Sequence, residues 1–181
     1  MLKQIFVALV TAGLVYGSQM ALASDRDLRA TTVPATACEP LDSTQANTVW
    51  LSNAAWVFRG NNTGTVTFYC PLPRNSVTLS DNTDDNDSTV YRVYYRDSDG
   101  AGAAARVTTR LVYRRSNGLF AAGSTWSSNS HNATDNTVAL FENAHDMRFD
   151  AVYSFLVTLR RTNIQQTPAF SGIDFTFEPI P

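Results

Sequence analysis

The sequence predicts an all-β fold: a two-sheet antiparallel β-sandwich, jelly-roll or Ig-like, of about eight or nine strands with one disulfide. Three observations predict it. Apolar and polar residues alternate with a period of two along most of the chain, and no 3.6-residue stripe competes with that pattern. Turn chemistry such as Gly60-Asn61-Asn62-Thr63-Gly64 and Ser116-Asn117-Gly118 cuts the alternating runs into strand-sized pieces. Two cysteines, Cys38 and Cys70, form an even pair in a chain that opens with an export signature, which predicts a disulfide rather than free thiols.

That signature spans residues 1–23. One cation, Lys3, precedes an apolar run from Ile5 to Tyr16, and Ala21-Leu22-Ala23 supplies the small-x-small pattern that signal peptidase accepts. The apolar run is too short to span a bilayer, and no later stretch approaches the roughly 20 apolar residues that a span needs. The expectation is an exported protein, extracellular or periplasmic, with no membrane span. Lys3 is the only lysine, so the remaining chain of about 158 residues carries 13 Arg against 16 Asp and Glu, a formal net charge of −3. Nucleic-acid capture normally shows as a clear basic excess, so no nucleic acid is expected, although a local basic patch remains open.

Residues 24–37 are polar, rich in Thr and Ala, and contain Pro34, which predicts a flexible or extended arm. Such an arm can add to the sheet edge of a neighbouring subunit. Residues 38–181 then form one sandwich domain, a size that buries enough surface to fold as a unit. Predicted strands cover residues 48–58 (broken at Asn53), 65–70, 76–80, 89–96, 104–115, 119–122, 137–141, 151–161 and 172–178. One helical turn is predicted at 142–148. In the last strand Ile173, Phe175 and Phe177 alternate with Asp174, Thr176 and Glu178, the pattern of a strand with one face on a core.

Two acidic clusters flank the strand 89–96. Asp81, Asp84, Asp85 and Asp87 supply the carboxylates that calcium wants, but not the Asp-x-Asp-x-Asp-Gly spacing, and no Glu closes the shell. Asp97-x-Asp99-Gly100 is closer in form and offers two carboxylates. No cofactor is expected; calcium is the alternative at each cluster, against the simpler reading of both as solvated turns. At about 3.3 Å per residue the intervening strand holds the clusters more than about 20 Å apart, so they cannot line one site.

The strand itself suggests a surface. Alternation puts Arg92, Tyr94 and Arg96 opposite the apolar set Tyr91, Val93 and Tyr95. In the next strand Arg106, Arg110 and Arg114 oppose Val107, Leu111 and Tyr113. If Asp97–Gly102 is a hairpin turn, the five arginines share one outer face with Tyr94, a platform suited to an anionic glycan or polymer. A second candidate is the polar stretch 123–136, where Trp126 sits among Ser, Thr and Asn as in a sugar-binding loop.

Three classes of function follow. The first expectation is a non-catalytic structural or assembly subunit of an extracellular surface layer or fibre, whose partners are its own copies or other surface proteins. The alternative is a module binding glycan or an anionic polymer through the Arg-Tyr face and the Trp126 loop. An exported hydrolase is disfavoured. His131 and His145 are the only histidines, no Gly-x-Ser-x-Gly elbow is present, and Glu39, Glu142 and Glu178 are scattered.

Overall fold

A computed structural model describes residues 31–73, 87–144 and 151–179. Eleven strands run through them: β1 (Thr31–Pro34), β2 (Glu39–Pro40), β3 (Val49–Ser52), β4 (Ala55–Phe58), β5 (Gly64–Pro71), β6 (Asp87–Arg96), β7 (Ala105–Arg115), β8 (Gly118–Ser127), β9 (Thr137–Ala144), β10 (Val152–Arg161) and β11 (Ala169–Pro179). A single-turn helix, α1 (Ser43–Ala46), is capped by Asp42, whose carboxylate accepts from the Thr44 amide at 2.8 Å. One sheet has the order β3-β4-β11-β6-β9, with β1 added along β11. The other has the order β2-β5-β10-β7-β8. All the pairings are antiparallel.

From β4 onward this is jelly-roll connectivity. Every link between consecutive strands crosses from one sheet to the other except the β7–β8 hairpin. The predicted strands correspond closely to the observed ones, including the break at Asn53. There Asn53 and Ala54 both adopt positive φ, 50° and 61°, as a two-residue type I′ hairpin demands. Strand 76–80 lies outside the described residues. The predicted helical turn gives way to sheet, because 142–144 continue β9 opposite Ser88–Val90, while 145–148 are not described.

The core lies between the sheets. Tyr91, Val93 and Tyr95 of β6 and Ile173 and Phe175 of β11 face Val107 and Leu111 of β7 and Phe155, Val157 and Leu159 of β10, all buried. Tyr91 and Phe155 meet edge to face at 5.1 Å. Each such side chain contributes roughly 1.5–3 kcal/mol by leaving water.

The expected arm is extended, but its described part belongs to the domain. β1 pairs with β11 from Thr31↔Phe175 to Pro34↔Gly172, and Val33 and Ala35 are buried. Gly172 makes that approach feasible: its φ is +152°, and a Cβ there would lie 2.9 Å from the Val33 carbonyl oxygen. The chain then crosses to the second sheet, and the crossing is fixed by the Cys38–Cys70 disulfide (S–S 2.07 Å), which ties it to β5.

Candidate functional site

The link between β6 and β7 decides what the outer faces offer. The two strands sit in different sheets, so residues 97–104 form an arch across the sandwich rather than a hairpin. Their apolar faces confront each other through the core, and their arginines point away from each other. The single Arg-Tyr platform is therefore corrected to two separate faces. Arg92, Tyr94 and Arg96 lie outside the β6 sheet; Arg106, Arg110 and Arg114 lie outside the β7 sheet, where Arg160 of β10 joins them opposite Arg106. Alternation states which residues face outward but not which sheet holds them, and that is why the sequence reading merged the two.

On the β6 face, Tyr94 is not a free ring edge. Its hydroxyl donates to Asp174 Oδ2, and Thr32 Oγ1 donates to Asp174 Oδ1 at 2.8 Å. The bond to Asp174 raises the Tyr94 phenol above its ordinary value. Arg92 stands opposite Asp174 in the register. This row stitches β1, β11 and β6 together.

Arg96 marks the start of something different. Its Nε donates to the Thr167 carbonyl at 2.7 Å, which seats the guanidinium against the loop 162–168. There β3, β4, β6 and that loop enclose a groove of about 590 Å³. Trp50 forms one wall, and Arg96, Asn136, Ser52, Thr167 and Ser171 contribute polar groups around it. Trp50 is 48% exposed. Strand alternation explains the exposure, since Val49 turns into the core opposite Phe58 and leaves Trp50 on the outer face. Beneath the groove, buried Arg161 donates to the carbonyls of Gly60 (2.8 Å), Asn163 and Ile164 and stands 6.0 Å from the Phe58 ring centre. It thereby ties the start of the loop 162–168 to Gly60.

Trp126 does the opposite of what the sequence suggested. It is 3% exposed, meets Tyr95 edge to face at 4.9 Å, and donates its indole N–H to His131 Nε2 at 2.9 Å. The stretch that looked like a loop extends β8 as far as Ser127, so the ring belongs to the core and offers no face to a sugar. Trp50 was missed because it sat inside an ordinary strand pattern. The signal for it was its parity relative to Val49.

Of the acidic candidates, Asp81, Asp84 and Asp85 lie outside the described residues. Asp87 begins β6 opposite Pro179. β6 runs unbroken from Asp87 to Arg96, so Asp87 and Asp97 lie at opposite ends of one strand. The second cluster is not a solvated turn. Asp97 is fully buried, and burial, helped by the Asp99 carboxylate, pushes its carboxyl up to about 6 against the Ser128 hydrogen bond.

No protein-family model and no curated protein matches this sequence. Among solved structures, the chain is similar to a family two carbohydrate esterase from Cellvibrio japonicus, at 11% identity and a TM-score of 0.38, over 84% of this chain and 36% of that one. It is similar to the CBM36-1 domain of a multidomain xylanase from the hindgut metagenome of Trinervitermes trinervoides, at 8% identity and a TM-score of 0.41, over 84% of this chain and all of that one. A family 29 carbohydrate binding module matches at 9% identity and a TM-score of 0.34, over 82% and 90% of the two chains. This chain thus spans about a third of the esterase's length. Similarity at this level assigns neither ligand nor activity.

Proposed function

We propose that this is an exported, non-catalytic glycan-binding β-sandwich whose binding surface is the Trp50 groove. One observation carries the reading: a half-exposed indole on strand β3 forms the wall of a groove ringed by hydroxyl, amide and guanidinium groups. Indole faces stack on the C–H face of a pyranose, and the surrounding donors and acceptors match sugar hydroxyls. The volume lies within the roughly 300–1,000 Å³ typical of small-ligand sites. The Cys38–Cys70 bond fits an oxidising compartment, and no helix among the described residues is long and apolar enough to cross a membrane.

A glycan array probed with the protein tests the reading. Binding to a defined set of glycans is expected, and Trp50→Ala should weaken it at least about tenfold, equivalent to about 1.4 kcal/mol. An empty array, or signal that Trp50→Ala leaves unchanged, would sink it. The assembly reading keeps one observation in its favour: the edge strands β9 and β8 expose Val138 and Leu140, and Leu119 and Phe120. Light scattering at high concentration, with the protein monomeric throughout, would remove it.

A further inference from the structure

The arch between β6 and β7 closes on itself through side chains. Ser128 Oγ accepts from the Val107 amide at 2.9 Å and donates to Asp97 Oδ2. The Asp97 and Asp99 carboxyl groups are within hydrogen-bonding reach of each other. Asp99 accepts from the amides of Ala104 at 2.7 Å and Ala105 at 3.1 Å, and it presses so closely on Gly102 that any Cβ there would collide with the carboxylate. The Gly102 carbonyl in turn accepts from Asn129 Nδ2. The ring of contacts runs from Asp97 to Asp99, Gly102, Asn129, Ser128 and back to Asp97.

Two oxygens in this ring have no partner. Asp97 Oδ1 and Asn129 Oδ1 are both buried without a hydrogen bond. Both atoms are acceptors; the groups that act on the Asp97 carboxyl are Ser128 and Asp99, through its carboxylate and its backbone amide, with no guanidinium among them. A buried acceptor left without a hydrogen bond has lost its hydration with nothing in return, at a greater cost when it is charged. The Asp97 and Asp99 carboxyl groups thus approach each other with no cation acting on them, and Asn129, with its own unpaired oxygen, directly follows the Ser128 that bonds Asp97.

We propose that the arch is a binding site for a divalent cation of calcium's size, held by Asp97, Asp99 and Asn129 through side-chain oxygens. The chemistry suits a hard cation: carboxylate and amide oxygens, no nitrogen or sulfur ligand, and waters completing the shell. Asp87, the described residue of the other acidic run, lies at the far end of β6 from the arch, and the proposal does not depend on the glycan reading.

The test is calcium titration of the chelator-treated, disulfide-intact protein, followed by calorimetry and by thermal unfolding. Saturable binding is expected, with a Tm that rises with calcium concentration as linkage requires. Asp97→Asn and Asn129→Ala should each raise the calcium Kd at least tenfold. If the buried Asp97 variant fails to fold, Asn129→Ala, which removes a less buried side chain, carries the test. The doubly substituted Asp84→Asn/Asp85→Asn protein should keep the wild-type response. A Tm indifferent to calcium and chelator overturns the proposal; it would leave the two acids sharing a proton, with Asp97→Asn then raising Tm at neutral pH. A response that survives Asn129→Ala and vanishes in the Asp84/Asp85 variant also overturns it.

Discussion

Two tryptophans a strand's width from the surface carry opposite meanings. Trp126, packed on Tyr95 and bonded to His131, is a core residue, and its replacement by Ala should cost about 3–5 kcal/mol in urea unfolding. Trp50 is half exposed, and Trp50→Ala should cost under about 1 kcal/mol while removing ligand binding. Composition made Trp126 look functional because its neighbours are Ser, Thr and Asn. Those neighbours are strand and turn residues, and the parity of Trp126 within β8, opposite Thr109 in the register, turns it inward. Asp97 provides a prediction of its own. Its native value, about 6, lies above the ordinary 3.8, so the folded protein holds a proton that the unfolded chain has released. That contribution is fully present below 3.8 and is lost as the pH rises through about 6. In chelator, thermal stability should therefore fall between about pH 4 and about pH 7, and Asp97→Asn should flatten the profile.

At the scale of elements, strand positions were legible because a half-buried strand writes its two faces into the sequence as alternating residues. β10 shows it plainly: Tyr153, Phe155, Val157 and Leu159 are buried, with Leu156, Thr158 and Arg160 on the other side. What alternation cannot encode is whether the next strand pairs beside its predecessor or crosses above it. The Arg platform failed at that point, since the Asp97–Gly102 turn is compatible with either. In the fold Asp97 is buried and Asp99 accepts from the amides of Ala104 and Ala105, and in this way the arch is held across the sandwich. Of the predicted arm, Thr31–Pro34 is extended and paired with β11, a contact that the sequence did not reveal because it depends on the room that Gly172 leaves. The disulfide locks this region, and with a sequence separation of 32 between its cysteines, replacing both by Ala should lower stability by roughly 3–4 kcal/mol, read from the urea midpoint at constant m-value.

The whole molecule presents two outer faces with different chemistry. The β7 face carries Arg106, Arg110, Arg114 and Arg160, whereas the β6 face adds a groove lined by the short β3–β4 hairpin and by Thr167 and Pro168 of the loop 162–168. Concavity with a fixed aromatic wall, rather than charge alone, is what distinguishes a glycan site from a solvated sheet face. The arch holding Asp97 and Asp99 also reaches the groove, since Ser98 bonds to Gln166 and accepts from the Thr167 amide, so order in the arch supports the groove's rim. The most direct test of the central claim compares the retention of wild type, Trp50→Ala and Arg110→Ala in gels containing a polysaccharide that the wild type binds. Loss of retardation for Trp50→Ala with wild-type behaviour for Arg110→Ala is the predicted result, and the reverse pattern would place binding on the opposite face and contradict it.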